Sequence, residues 1–284
     1  MLPEHIINIH GHLRHDQDIP ARVKMWDEWN VRKFIALALP ERYGFSGYHG
    51  NDGVRKWMRE FPDVIVGMAC METRPVNPHV ADDVDRFKDQ GFTGLKFIDA
   101  AVPYNSEQLF PIYERAEALQ MPILFHCGVL AVTPDGRDRE LGPDVNNMRP
   151  IYLDRITRCF PDLKIIGAHL GYPWPHEAAQ MVKTHKNIYF DLTGGGGNKA
   201  REYMLRRFFA PAPDADLTCP AEHPALAYFE KFCFGTDNPE PDIWVPLSQR
   251  LLDYLEIPDA TRQRFWYQNA AEIFGWTEFA TPGA

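Results

Sequence analysis

The segment IINIHGH (residues 6–12) is a short apolar run that ends in two histidines separated by one glycine. Its isoleucine-rich composition is typical of a strand that is covered on both faces. An open doubly wound sheet would normally carry a glycine-rich fingerprint after its first strand, and this strand ends in His10-Gly11-His12 instead. The segment therefore favours a different arrangement of parallel strands.

Seven further apolar runs of the same kind follow. Together the eight predicted strands cover residues 5–13, 33–40, 64–72, 93–99, 122–128, 164–171, 187–194 and 232–239. Segments with helical spacing of apolar residues lie at 53–61, 80–90, 106–120, 150–160, 176–184, 199–208, 245–255 and 260–274. Eight alternating units in about 250 residues are typical of a (β/α)8 barrel. We therefore predict one α/β domain over residues 1–284, a TIM barrel with a small insertion around residues 211–224.

Composition excludes several classes of protein. The 284 residues include 30 Lys and Arg against 39 Asp and Glu, a net charge of −9, which argues against binding to nucleic acid or to an anionic membrane. No stretch of roughly 18 apolar residues predicts a membrane span. The five cysteines form no CxxC pair, and no signal-peptide pattern is visible, so we expect a reduced, cytoplasmic protein.

Ionisable residues end five of the predicted strands. They are His10, His12, Lys96, His126, His169 and Asp237. Active sites of parallel barrels lie at the carboxyl ends of the strands, and the two-residue alternation of strands predicts that these side chains point inward. Imidazole and carboxylate groups suit Zn²⁺, Mn²⁺ or Fe²⁺. We therefore predict a metal site at these strand ends, with Asp237 as a metal ligand or as the general base.

Candidate substrate contacts lie in the loops that follow the strands. An arginine can bind a carboxylate through two hydrogen bonds, and the loop arginines are Arg74, Arg137, Arg139 and Arg149. Tyr172 and Trp174 follow His169 and are candidates for the wall of an apolar substrate site. The glycines at 194–197 precede a predicted helix, but no flanking pattern supports a phosphate site, so we predict a plain loop or a mobile lid.

Six motifs resemble those of the amidohydrolase superfamily, and most closely its amidohydrolase-related branch (family 2). They are INIHGH at 7–12, GLKF at 94–97, PILFHCG at 122–128, GAHLG at 167–171, FGTDNP at 234–239 and NAAEIF at 269–274. The resemblance extends over nearly the whole chain and implies a metal-bearing (β/α)8 barrel.

The resemblance also implies roles for individual residues. His10, His12, His126 and Asp237 match the metal ligands of the family, and His169 matches a histidine that contacts the activated water or the substrate. Lys96 matches a lysine that in binuclear relatives is carbamylated and bridges two metals. Lys96 is therefore expected either to bridge two metals or to contact the substrate. Because one metal is more usual in this branch, one ion is favoured over two.

The expected function is that of a metal-dependent hydrolase. It would use metal-activated water on a small amide, ester or lactone that carries a carboxylate, with zinc as the first candidate metal. The alternative is a metal-dependent, non-oxidative decarboxylase of an aromatic or unsaturated acid. A non-catalytic barrel is disfavoured because none of the motif residues is missing. By analogy with relatives we expect a homo-oligomer.

Overall fold

The computed structural model describes residues 2–41, 45–74, 78–130, 144–211, 214, 225–238 and 240–279. All eight predicted strands are present within these residues. They are β1 (Ile6–Gly11), β2 (Val31–Leu37), β3 (Ile65–Met71), β4 (Gly94–Phe97), β5 (Ile123–Phe125), β6 (Ile165–Gly167), β7 (Ile188–Asp191) and β8 (Phe232–Cys233). Each strand pairs in parallel with the next strand along the chain.

The first and last strands close the sheet into a barrel. Gly11 at the end of β1 forms a parallel bridge with Asp237, which follows β8. The side-chain amide of Asn8 donates to the Thr236 hydroxyl over 2.8 Å, across a sequence separation of 228 residues. The fold is therefore a (β/α)8 barrel, as the alternation of strands and helices predicts.

Helices follow each of the first seven strands, and three more follow β8. They are α1 (Ile19–Glu28), α2 (Asn51–Glu60), α3 (Ala81–Asp89), α4 (Phe110–Ala118), α5 (Leu153–Cys159), α6 (Pro175–Thr184), α7 (Lys199–Phe209), α8 (Leu226–Phe229), α9 (Pro241–Tyr254), α10 (Asp259–Gln263) and α11 (Asn269–Phe274). A π-helical turn, Arg264–Gln268, joins α10 to α11. No helix of the described residues is long and apolar enough to cross a membrane.

Helix α1 lies outside the predicted helical segments. Its start carries a recognisable signal, because the Asp18 side chain accepts a hydrogen bond from the Ala21 N–H over 3.0 Å and Pro20 stands in the first turn. Only Ile19, Arg22 and Trp26 of this helix are buried. The helix therefore has too few apolar residues at helical spacing for the sequence pattern to predict it.

Several strands are shorter than the apolar runs that predict them. β5 and β6 have three residues each and β8 has two, so His126, His169 and Asp237 lie beyond the strand ends. His169 and Asp237 have φ angles of 62° and 58°. Strand alternation does not apply to such left-handed residues, yet both side chains reach the cavity described below.

The predicted insertion around residues 211–224 lies outside the described residues, apart from residues 211 and 214. The candidates Arg137 and Arg139 also lie outside them.

Gly128, in the loop after β5, packs closely against the backbone of Tyr172 in the loop after β6. Its φ is +105°, and a Cβ at this position would lie 1.8 Å from the Tyr172 carbonyl oxygen. We expect Gly128→Ala to destabilise the protein by on the order of 3 kcal/mol and to lower its melting temperature by roughly 5–10 °C. Thermal unfolding followed by circular dichroism measures the effect.

Gly47→Ala is the matched control for this substitution. Gly47 is exposed, and a Cβ there would meet no atom within 4 Å. We expect a change within about 0.5 kcal/mol. Equal melting temperatures for the two variants would contradict the role given to Gly128.

Candidate metal centre

Three side chains converge where β1 meets β8. The Nε2 atoms of His10 and His12 lie 3.3 Å apart. Asp237 Oδ1 lies 3.4 Å from His12 Nε2 and 3.7 Å from His10 Nε2. Ligands that surround one tetrahedral zinc ion at 2.0–2.1 Å are separated from each other by about 3.3–3.4 Å. The three atoms are therefore spaced as ligands of one ion.

The other ring nitrogen of each histidine fixes its tautomer. His10 Nδ1 donates to Asp191 Oδ2 over 2.7 Å, and His12 Nδ1 donates to the Leu37 carbonyl oxygen over 3.1 Å. In the neutral imidazole, the proton on Nδ1 leaves a lone pair on Nε2. Two lone pairs and a carboxylate oxygen then face one another, and such an arrangement is repulsive unless a cation lies between them. The donor set thus fits a divalent metal ion.

Asp191, the last residue of β7, organises the histidines from behind. One carboxylate oxygen accepts from His10 Nδ1, and the other accepts from the backbone N–H groups of His169 and Thr193 over 3.0 and 2.9 Å. The Thr193 hydroxyl donates to the same oxygen over 2.6 Å and accepts from His169 Nδ1 over 2.8 Å. Burial opposes ionisation, but the interactions with His10 hold the pKa of Asp191 below its ordinary value.

A second group of potential ligand atoms, from His10, His169 and Asp191, also lies within 4.8 Å of one another. Here both Asp191 oxygens already accept hydrogen bonds from the neighbouring residues. We therefore interpret Asp191 as the residue that orients these imidazoles, and the group of His10, His12 and Asp237 as the metal centre.

His126 and His169 extend the cluster of imidazoles. Their ring centroids lie 4.9 Å apart, and the His169 ring lies 4.9 Å from that of His10. Burial lowers the pKa of His169 to about 4 and lowers that of His126 well below its ordinary value. Burial also lowers the pKa of His12. These imidazoles are therefore neutral at pH 7, in the form that binds a metal.

Lys96 lies in the barrel interior with no exposed surface. Its Nζ atom has no hydrogen-bond partner among the described residues. Burial lowers its pKa to about 8, and the charges of Asp191 and Asp237 oppose this shift. On the neighbouring strand Cys70 is its register partner. An amine in this position is suited to bind an anion or to react as a neutral nucleophile.

A cavity of about 620 Å³ opens in front of the metal centre. Its polar lining includes His12, His126, His169 and Asp237. Its apolar lining includes Leu39, Phe45, Ile98, Leu130 and Met204. Such a combination of an apolar wall with a few convergent polar groups is typical of sites for small molecules.

The predicted substrate contacts are divided between the cavity and other places. Tyr172 lines the cavity. Arg74, Arg149 and Trp174 are absent from its described lining. Arg149 forms an ion pair with Glu177, and its guanidinium carbon lies 5.2 Å from the centre of the Trp174 ring. Arg74 donates to Asp99 over 2.8 Å. These three side chains are engaged with other residues of the protein.

Sequence reasoning missed Asp191, Thr193 and Arg201. Asp191 had a signal of the kind used elsewhere, because it is a charged residue at the end of an apolar strand. Thr193 lies two residues after Asp191 in the sequence. Arg201 lies in the first turn of α7 and lines the cavity. Its position depends on how the preceding glycine loop folds, which no spacing rule predicts.

Comparisons with known proteins show the family of this chain. The amidohydrolase family model matches residues 40–276. The chain is 27% identical over 183 residues to a dihydroorotase of Serratia proteamaculans (strain 568), a match that covers 61% of this chain and 50% of that protein. The chain thus spans about half the length of the curated relative it matches.

Solved structures with a similar fold include the following two. One is a probable 2-pyrone-4,6-dicarboxylic acid hydrolase from Acinetobacter baumannii with citric acid bound, with a TM-score of 0.64, 13% identity and coverage of 95% of this chain and 99% of that chain. The other is a dihydroxybenzoic acid decarboxylase from Polaromonas sp. with bound manganese and the inhibitor 2-nitroresorcinol, with a TM-score of 0.55, 19% identity and coverage of 91% and 86%. Because the family model covers more than half of the chain, this protein belongs to the amidohydrolase family.

Proposed function

We propose that this protein is a metal-dependent hydrolase of a small ester, lactone or amide that carries a carboxylate. The observation that carries the proposal is the convergence of His10 Nε2, His12 Nε2 and Asp237 Oδ1 at 3.3–3.7 Å from one another. Their spacing favours one zinc ion, with manganese and iron as alternatives. His126 is the proposed fourth ligand, as the family resemblance implies.

A divalent ion in this place would polarise a substrate oxygen and lower the pKa of water toward about 7. Asp237 carries the proposed role of general base, because its carboxylate both lines the cavity and adjoins the centre. His169 is the second proposed proton carrier. Its Nδ1 is fixed by the Thr193 hydroxyl, and this leaves Nε2 for the water or the substrate.

Two roles remain proposed for Lys96. As a cation it would bind a substrate oxygen deep in the barrel. As a neutral amine it would react with carbon dioxide and release a proton, and the resulting carbamate would supply oxygen ligands for two metal ions. The buried, unpartnered Nζ is compatible with both. We favour the first role, together with a single ion.

The alternative function is that of a decarboxylase. The apolar wall of the cavity suits an aromatic acid, and a structural neighbour is a dihydroxybenzoic acid decarboxylase. In that reaction the substrate carboxylate would bind to a metal held by His10, His12 and Asp237. A neighbouring carboxylic acid or histidine would protonate the ring carbon, and the bond from that carbon to the carboxylate would break to release carbon dioxide.

Metal removal and reloading test the proposal. Protein stripped with a chelator and dialysed is reloaded with Zn²⁺, Mn²⁺ or Fe²⁺ and assayed on carboxylate-bearing lactones, esters and amides, and on hydroxybenzoates. We expect turnover to disappear on stripping and to return with one of the ions, by a factor of at least about 10². Hydrolysis without release of carbon dioxide supports the hydrolase, and release of carbon dioxide supports the decarboxylase. Undiminished turnover by stripped protein would disprove the metal role.

A further inference from the structure

Arg201 is a buried cation in the wall of the cavity. Its side chain belongs to the first turn of α7, and the residue is only 7% exposed. No carboxylate of the described residues lies within ion-pair distance of its guanidinium, in contrast to the many arginine–carboxylate pairs elsewhere in the described part of this barrel. Asp191 raises the pKa of Arg201 against the effect of burial, but both oxygens of Asp191 already accept hydrogen bonds from other residues. The position is therefore suited to an anion supplied by a ligand.

The hydrogen bonds of Arg201 leave one side of its guanidinium for such a ligand. Nε and Nη2 donate to the carbonyl oxygens of Leu192, Thr193 and His169, over 2.7–3.1 Å. Among the residues that the structure describes, Nη1 has only the Met204 sulfur, at 3.7 Å, which is a weak acceptor. Burial lowers the pKa of Arg201 to about 10, so the group still carries its charge at neutral pH.

The start of α7 adds further donors beside this cation. The first N–H groups of a helix have no partner within the helix, and they carry partial positive charge. The Asn198 side chain caps the Arg201 N–H over 3.0 Å, and Asn198 and Ala200 both line the cavity. The four glycines before this helix all have positive φ, a conformation that lets the chain turn into the helix at the cavity wall.

We propose that Arg201 and the first turn of α7 form a binding site for a carboxylate of the substrate. The guanidinium of Arg201 is not one of the three groups that converge at the metal centre, so we take the carboxylate it holds to be distinct from the group that reacts there. The apolar residues of the same cavity, Leu39, Phe45 and Ile98, would cover the body of the ligand. The substrate class is thus a small apolar or aromatic acid whose cleavable bond lies apart from its carboxylate, an inference that rests on the proposed hydrolase function.

Binding of benzoate to metal-stripped protein tests the site without turnover. Calorimetric titration compares benzoate with benzamide, a neutral molecule of the same shape. We expect benzoate to bind at least about tenfold more tightly than benzamide, because only benzoate can neutralise Arg201. Equal binding of the two, or no binding of benzoate, would overturn the proposal.

A substitution at Ala200 tests the location. Ala200→Asp places a carboxylate in the first helical turn, where acidic residues stabilise a helix, so folding should be preserved. We expect benzoate affinity to fall by at least about tenfold, whereas Ala200→Asn, of the same size without the charge, keeps it within about threefold. Equal benzoate affinities for Ala200→Asp and Ala200→Asn would mean that benzoate binds elsewhere, which would contradict the proposed carboxylate site.

Arg201→Gln is the direct test, and its fold is checked by thermal unfolding because Arg201 also binds three carbonyl groups. We expect the preference for benzoate over benzamide to disappear in the folded variant. The two proposals fail separately. If the Ala200 and Arg201 substitutions change benzoate affinity as expected, but metal-reloaded protein has no metal-dependent turnover, the hydrolase function is disproved and the carboxylate site is retained.

Discussion

Asp237→Asn is expected to lower turnover by roughly 10²–10⁴-fold while the barrel remains folded. Asparagine has the same size but no negative charge, so it is a weaker metal ligand and cannot take a proton from water. The left-handed backbone of residue 237, with φ of 58°, is one that asparagine adopts readily. Steady-state kinetics on metal-loaded protein, with metal content by mass spectrometry, measures the effect.

Asp242→Asn is the matched control for this prediction. Asp242 is an exposed carboxylate in the first turn of α9, so its loss changes the net charge by the same amount near the same end of the chain. We expect wild-type turnover and metal content from this variant. If Asp237→Asn also retained both, the proposed roles of Asp237 would be wrong.

The second large effect is expected at Asp191, which contacts no proposed substrate position. In Asp191→Asn the amide NH₂ group can face His10 Nδ1, which must then accept rather than donate. The proton moves to Nε2, and His10 loses the lone pair that points at the metal centre. We expect metal affinity to fall by about 10–100-fold, measured by competition with a chromogenic chelator on protein that remains folded.

Thr193→Val separates the two functions of Asp191. This substitution removes the hydroxyl between Asp191 and His169 but leaves the hydrogen bond from His10 untouched. We expect metal affinity close to that of the wild type and a slower turnover, because only the orientation of His169 is disturbed. Equal loss of metal in the two variants would mean that Asp191 acts through general packing rather than through the His10 tautomer.

The sequence predicts the barrel well because the strands are buried on both faces. Every residue of β1 and β3 is buried, and β3 has no polar side chain, a pattern that distinguishes such strands from amphipathic helices. Strand ends are predicted less well. The apolar run at 232–239 contains a strand of only two residues, since its later residues bond to β1 outside a regular ladder.

The candidate site is predictable only where strand ends determine it. His10, His12 and Asp237 converge because neighbouring strands bring their ends together, and no further information is needed. Arg201 is different, because it reaches the cavity through a glycine loop with left-handed residues. Arg74 and Arg149 have the right position in the chain for substrate contact, but each has an acidic partner from another loop or helix. Such pairings depend on tertiary contacts that a single sequence does not reveal.

The junction between β1 and β8, here called the seam, has a consequence for the stability of the protein. His10 and His12 lie on one side of this seam and Asp237 on the other, so an ion held by all three would connect the first strand to the last. Closing so long a loop costs conformational entropy in the open chain, and a metal link across it would act as a reversible cross-link. Loss of the ion would therefore weaken this seam, so the supply of the metal would affect the stability of the folded protein as well as its activity.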